Sequence, residues 1–276
     1  MADRLAVDNG QTHPGSLTVV GTGIDVGGQL TPQARVAFAE ADEAFYLVAD
    51  PFAVALLGEL NPTARSLHDR YEKGRPRLEA YEAMVNEILA PVRAGKTVCA
   101  AFYGHPGVFV YPGHAAIATA RAEGFRAWML PGVSSLDCLF ADLGIDPAES
   151  GCLVYHASDL LARRVQPDPS ILLVLLQISV IGEPGAVDSA DWSGLPVLVE
   201  YLQGFYGPDH VVIGYEASPF PVLGATATHV SLSRLATAEL TSGMTLVVPP
   251  AIAPAAPDPS ILARLELLRA DPRQES

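Results

Sequence analysis

Residues 100–116, "AAFYGHPGVFVYPGHAA", decide how this chain is read. Small and aromatic apolar residues run up to Phe102, as in a buried strand. Tyr103, Gly104, His105, Pro106 and Gly107 then continue neither strand nor helix, because glycine frees the backbone and proline removes an N–H. The loop carries no Lys, Arg, Asp or Glu. A charge-free loop at the end of a buried strand is a place to hold a ligand.

Outward from this point the pattern repeats. Upstream, "SLTVVGTGIDVGGQLT" is a strand over residues 17–20 and a glycine loop, and Thr31-Pro32 reads as an N-cap with proline at the first helical position. "AFYLVAD" is a second strand ending at Asp50. "RPRLEAYEAMVNEILAPVRAGK" is a helix with apolar Leu78, Met84, Val85, Ile88 and Leu89 at near-helical spacing and a stop at Gly95. Downstream come a helix ending at Gly124, a strand, the loop Pro131-Gly132-Val133-Ser134-Ser135 and another helix. Strand and helix alternate over residues 17–143, which predicts a mostly parallel sheet covered on both faces. Beyond residue 150 the strands "ILLVLLQ" and "HVVIGYEA", the helix "GLPVLVEYLQGFYG" and the antiparallel-looking "PVLGATATHVSL" and "MTLVVPP" predict a second, mixed sheet. The domain reading is a loose leader 1–15, an N-terminal α/β lobe 16–131, a C-terminal α/β lobe 132–250, and a linker with a short helix (Ile261, Leu262, Leu265, Leu268) over 251–276.

Composition bounds the function. The chain has 276 residues, 49% hydrophobic and 17% charged, enough for a sizeable core. A formal net charge of -14 argues against nucleic acid as a main partner, because phosphate binding needs clustered Lys and Arg. Cys99, Cys138 and Cys152 have no metal or disulfide spacing and read as buried small hydrophobes. No apolar signal core and no run near the ~20 residues of a membrane helix is present, so the expectation is a cytoplasmic protein with no membrane partner.

Three strands thus end in glycine loops, and in open α/β sheets ligands bind beyond the carboxyl ends of strands. The first loop departs from GxGxxG, but Asp50 stands about where an acid would take a ribose hydroxyl, so NAD and S-adenosylmethionine both stay open. The three loops lack Lys and Arg and the chain has no Walker loop, which suits an uncharged adenosine body and a cationic sulfonium better than a pyrophosphate. His105 and His114 lack a partnering Cys, Asp or Glu cluster and read as loop or cap residues, with no metal expected. His156 and Asp159 in "YHASD" lack a nucleophile motif. Glu40, Asp42 and Glu43 read as a solvated helix end.

The motifs "GSLTVVGTGI", "FYGHPGVFV", "LPGVSSLDCLFADLGIDP" and "VVPP" resemble the tetrapyrrole-methylase superfamily of S-adenosylmethionine-dependent methyltransferases. "YEKGRPRLEAY" narrows the resemblance to the borosin peptide backbone α-N-methyltransferases, which methylate main-chain amides of a ribosomal precursor peptide. The resemblance spans roughly residues 15–268. It implies two αβα lobes with the cofactor in the cleft between them. It implies cofactor contacts at Tyr103, His105, Val108, Phe109, Ser134, Ser135, Gln177, Ala217, Met244 and Thr245. It implies a catalytic group of Arg77, Tyr81 and Tyr103, with Tyr71 facing substrate. His68 stands where fused relatives carry tyrosine.

The implied chemistry is physically coherent. An amide nitrogen is a poor nucleophile because its lone pair is delocalised into the carbonyl. A tyrosine has an ordinary pKa of about 10, and a nearby guanidinium lowers it by favouring the phenolate. Tyr81 is then the base, Arg77 its electrostatic partner and Tyr103 a hydrogen-bond donor. Arg77 and Tyr81, at i and i+4, share one helix face. The charged tail "RADPRQES" offers no apolar segment to methylate, so the substrate is expected to be a separate precursor bound in trans. The resemblance also implies a homodimer, extending to a heterotetramer with the precursor. The competing readings are a methyltransferase acting on a tetrapyrrole-like small molecule, an NAD-dependent oxidoreductase and a silent binding protein.

Overall fold

A computed structural model describes residues 15–48, 50–71, 76–183, 190–220 and 222–269, with the side chains of 267–269 left aside. Residues 1–14 of the leader, residues 72–75 of "YEKGRPRLEAY", the Leu268 side chain and the tail from 270 lie outside the described residues.

The chain forms an α/β structure with two five-stranded sheets. The first contains β1 (Ser16–Gly21), β2 (Glu43–Leu47), β3 (Arg65–Ser66), β4 (Thr97–Phe102) and β5 (Arg126–Met129) in the order β3-β2-β4-β1-β5. Every pairing in it is parallel. Helices α1 (Val26–Gln29), α2 (Pro32–Ala39), α3 (Pro51–Leu60), α4 (Arg77–Arg93) and α5 (Tyr111–Ala122) make the crossovers, with a 3-10 turn at His68–Arg70. The period-2 geometry of a strand sorts its side chains between the two helical layers. On β4, Val98, Ala100 and Phe102 pack with Met84, Ile88 and Leu89 of α4 and Ala116 of α5. Cys99 and Ala101 face the other way, onto Phe38 of α2 and Leu57 of α3.

The second sheet contains β6 (Cys152–His156), β7 (Leu172–Leu176), β8 (Val211–Glu216), β9 (Thr226–Ser231) and β10 (Thr245–Val248) in the order β6-β7-β10-β8-β9. Only β6 and β7 pair in parallel; β10 runs antiparallel to both β7 and β8, and β9 antiparallel to β8. α7 (Ala157–Ala162), α8 (Leu195–Tyr206) and α9 (Leu232–Leu235) cover one face through Leu160, Leu198, Leu202 and Leu232. α6 (Ser135–Leu143) covers the other, where Leu139 joins Val174, Ile213 and Tyr215 in a cluster that also takes in Ile24 of the first loop. That cluster ties the two sheets together. α10 (Pro259–Arg269) follows, with Ile261, Leu262 and Leu265 exposed.

Thr31 caps α2 as read, accepting the Ala34 N–H at 3.2 Å with Pro32 behind it. Other expectations are corrected. β2 stops at Leu47, and Asp50 is instead the N-cap of α3, its Oδ1 accepting the Ala53 N–H at 2.8 Å. Leu78 is exposed while Met84, Val85, Ile88 and Leu89 are buried; within the same first turn of α4 it is Ala80 that faces the core. Glu43 is ion-paired to Arg65 and Lys96, and Asp42 accepts the Thr97 N–H at 2.8 Å, so this acidic run is partnered. Cys99 is buried, but Cys138 and Cys152 are only half-buried.

Candidate active site

The carboxyl ends of β1, β4 and β5 lead into the three glycine loops, which are locked to one another. A Cβ on Gly21 would lie 2.2 Å from Gly104 O, and one on Gly132 would lie 2.9 Å from the same oxygen. Gly23 N–H donates to Gly104 O at 3.2 Å and Gly104 N–H to Gly23 O at 3.0 Å. Gly21 and Gly132 therefore let three backbones touch. The second loop is braced from within: His105 Nδ1 accepts the Gly107 N–H at 2.9 Å, and His114 Nε2 donates to Gly107 O at 3.0 Å. Both histidines are loop braces, and among the described residues no cluster of His, Cys, Asp and Glu fit to hold a metal exists.

Phe109 and Gln177 have positive φ, 56° and 61°, where non-glycine side chains are strained. Such strain persists only where the surroundings over-determine it, and it concentrates at ligand sites. Phe109 is half-exposed beyond β4, near the half-buried Val108, and Gln177 is exposed beyond β7. Ala217 follows β8. Met244 and Thr245 open β10, where Thr245 pairs with Tyr215, so the antiparallel register returns them to the end of the sheet that carries Gln177 and Ala217. Ser134 is buried with its hydroxyl committed to a capping box, donating to Asp137 Oδ2 at 2.7 Å, while Ser135 begins α6 half-buried. Tyr215 OH donates to Asp142 Oδ2 at 2.6 Å and fastens α6 to β8.

Tyr103 stands between the two sheets. Its phenol is pushed up to about 12, first by desolvation, then by the negative charge of Glu216, with smaller contributions from Cys138 and Asp50. It stays a protonated donor at neutral pH. A second group of side chains comes from α4 and the turn before it. Tyr81 lies edge-on to Tyr71 at 6.2 Å between ring centroids and stacks on Tyr111 at 5.7 Å and 22°. His68 packs edge-on to Tyr71 at 5.6 Å. Burial, then the contact with Tyr81, drives the Tyr71 phenol well above its ordinary value against a weaker pull from Arg77. Arg77 is half-buried one helical turn before Tyr81 and makes no ion pair among the described residues. Arg77, Tyr81 and Tyr71 are thus brought together. Tyr111 was not among the residues expected from sequence. It lies within the stretch that decides the fold, but only the packing of α5 against α4 sets it on Tyr81.

Residues 16–218 match the family model for tetrapyrrole (corrin/porphyrin) methylases. The chain belongs to the tetrapyrrole methylase family. In fold it is similar to the uroporphyrin-III-C-methyltransferase of Thermus thermophilus (TM-score 0.61, 23% identity, 86% of this chain and 93% of that one). It is also similar to a cobalt precorrin-4 methyltransferase (TM-score 0.60, 17% identity, 88% and 97%). In sequence it is 42% identical over 245 residues to a methyltransferase and ribosomally synthesized cyclic peptide dendrothelin A precursor from Dendrothele bispora, covering 87% of this chain and 59% of that protein. It is 40% identical over 269 residues to the corresponding omphalotin A precursor protein from Omphalotus olearius, covering 94% and 63%. A type I borosin cyclic peptide precursor from Coprinopsis marcescibilis is 38% identical over 258 residues, 92% of this chain and 66% of that protein. The chain spans about three fifths of the length of the first two of these relatives.

Proposed function

We propose that this chain is an S-adenosylmethionine-dependent methyltransferase acting on backbone amide nitrogens of a ribosomally made peptide. The observation that carries the reading is the grouping of Tyr71 and Tyr81 around an Arg77 that has no described anionic partner, with Tyr71 and Tyr103 both following the carboxyl end of a strand in the same parallel sheet. The names of the relatives, which pair a methyltransferase with a peptide precursor, support the substrate class.

The residues at the strand ends fit the cofactor. The loops carrying Tyr103, His105, Val108 and Phe109 and carrying Ser134 and Ser135 lack Lys and Arg. The field that raises the Tyr103 phenol, dominated by Glu216, is negative and favours a sulfonium over a phosphate. Gln177, Ala217, Met244 and Thr245 complete the set from the second sheet. When bound, S-adenosylmethionine supplies an electrophilic methyl group.

Everything else falls to the chain. Arg77 donates to the carbonyl oxygen of the target amide and holds the negative charge that gathers there as the N–H proton leaves. Tyr81, acting as its phenolate, takes that proton and becomes the neutral phenol. Tyr71, kept protonated by burial, hydrogen-bonds Tyr81 and shares the charge. Tyr103 donates a hydrogen bond beside the reacting amide and keeps water out.

Incubation of the chain with S-adenosylmethionine and a precursor peptide, supplied separately in one arm and fused in the other, tests the reading by mass spectrometry. Backbone fragments gaining the mass of one methyl group are expected in the arm with separate peptide. Unmodified peptide in both arms defeats the reading, and modification of the fused peptide alone defeats the expectation of a separate precursor. Tyr81→Phe is expected to bind S-adenosylhomocysteine like the parent and to lose on the order of 10²–10⁴ in turnover. Full activity in that variant removes Tyr81 as base. A homodimer is part of the same reading, checked by analytical ultracentrifugation.

A further inference from the structure

His156 ends β6 and caps α7 on the second lobe. Its Nδ1 accepts the Ser158 N–H at 3.2 Å. A ring nitrogen that accepts a hydrogen bond carries no proton, so the neutral imidazole has its proton on Nε2. The Nε2–H points away from the helix it caps. Among the described residues none accepts it.

Two observations place that ring beside the first lobe. The ring lies 6.5 Å from that of Phe109, the strained residue beyond β4, so it faces the first lobe. Arg77 of α4 is close enough for its charge to act on the imidazole. The charged groups that act on it are Arg77 across the cleft and Asp159 on its own helix. Desolvation, the largest influence, and Arg77 hold it below the ordinary histidine value against Asp159. The ring is therefore neutral at physiological pH.

We propose that His156 is a substrate-contacting residue whose Nε2–H donates to a carbonyl oxygen of the bound peptide, gripping the chain from the second lobe opposite Arg77. A peptide entering this cleft carries one carbonyl per residue, and each buried one needs a donor. Arg77 serves the carbonyl of the amide being modified; His156 serves a neighbouring one. A neutral donor suits this task because it adds no second positive charge beside the guanidinium. The inference rests on the peptide-methylating reading above.

Two substitutions separate the two ends of the ring. His156→Asn keeps an acceptor for the Ser158 N–H, since asparagine is a strong N-cap, but has nothing at the Nε2 position. His156→Gln carries its amide N–H about as far out as Nε2 and gives up the cap. Steady-state kinetics with precursor peptide, S-adenosylhomocysteine calorimetry and thermal melts are measured on both. The Asn variant is expected to keep the parent's melting temperature and S-adenosylhomocysteine affinity while KM for peptide rises about 3- to 10-fold, the range of one lost hydrogen bond. The Gln variant is expected to melt lower and keep KM within about twofold of the parent. Unchanged KM in the Asn variant, equal KM defects in both, or weakened S-adenosylhomocysteine binding in the Asn variant each overturn the proposal. If the parent enzyme itself leaves the peptide unmethylated, the functional reading fails first, and that outcome is distinct from the others.

Discussion

Adding one methyl group at Gly21 is expected to dismantle the cleft without touching any reactive side chain. In Gly21→Ala the new Cβ would lie 2.2 Å from Gly104 O and 2.7 Å from Pro106 Cδ, where ordinary contact starts at 3.4 Å. The two backbones must part by about 1 Å, and close-packed surroundings resist that. Gly104 O is also held by the Gly23 N–H. Overpacking of this kind costs about 1–3 kcal/mol. At about 2–4 °C per kcal/mol for a chain of this size, that lowers the melting temperature by about 2–12 °C. The parted loops carry Tyr103 and the residues proposed to hold the cofactor, and a displacement of about 1 Å costs on the order of 10²-fold in a reaction that depends on alignment. Gly204→Ala in α8 is the control, because a Cβ there meets nothing within 4 Å. It is expected to gain about 0.5–1 kcal/mol from helix propensity. Differential scanning fluorimetry and calorimetric titration with S-adenosylhomocysteine measure both effects. A Gly21→Ala protein within 1 °C and twofold of the parent (~1 °C being the resolution that the slope above demands) would refute the claim that the glycines are there for backbone contact.

Tyr111→Ala removes the ring stacked on Tyr81. An aromatic pair is worth about 0.5–1.5 kcal/mol, so kcat/KM is expected to fall about 2- to 13-fold with S-adenosylhomocysteine affinity unchanged, and Tyr111→Phe to restore it. Tyr206 has a buried hydroxyl with no hydrogen-bond partner among the described residues. Tyr206→Phe is therefore expected to raise stability by about 1 kcal/mol in urea titration. Burial and Asp168 push the Tyr206 phenol up to about 12 from its ordinary value near 10. The unfolded chain thus loses this proton before the folded one does. Its contribution to stability is intact below about pH 10 and falls as pH rises from about 10 toward 12. Melts across that window are expected to fall less steeply in Tyr206→Phe than in the parent.

Much of this architecture can be read in the residues, and the exceptions have physical reasons. The parallel sheet follows from apolar strands interleaved with helical patterns, and the mixed sheet from the loss of that alternation after β7. α3 has no helical period in its sequence, because "PFAVALLGEL" is apolar almost all round and has no helical stripe. Its signal is Asp50-Pro51, an N-cap followed by proline, and this outweighs Asp50 as the end of a strand. Arg77 and Tyr81 can be paired from spacing because four residues make one turn. Tyr111 and His156 cannot, because each depends on an approach between distant elements: α5 upon α4, and the β6–α7 corner upon the loop after β4. The glycine loops announced a site from sequence, but as space for a ligand; their close contacts with one another needed coordinates.

The placement of β10 has a consequence for biosynthesis. The first sheet is complete once Met129 has been made, whereas the second keeps its central strand for nearly the last segment, Thr245–Val248. Until that segment emerges from the ribosome, β7 and β8 each expose a long apolar edge to the cell. A nascent chain arrested anywhere between residues 216 and 244 holds one finished half and one open, adhesive half. Met244 and Thr245 arrive with the strand that seals it, so the wall proposed for the methyl donor and the fold are completed in one event. Any peptide joined after residue 248 would meet an enzyme already assembled.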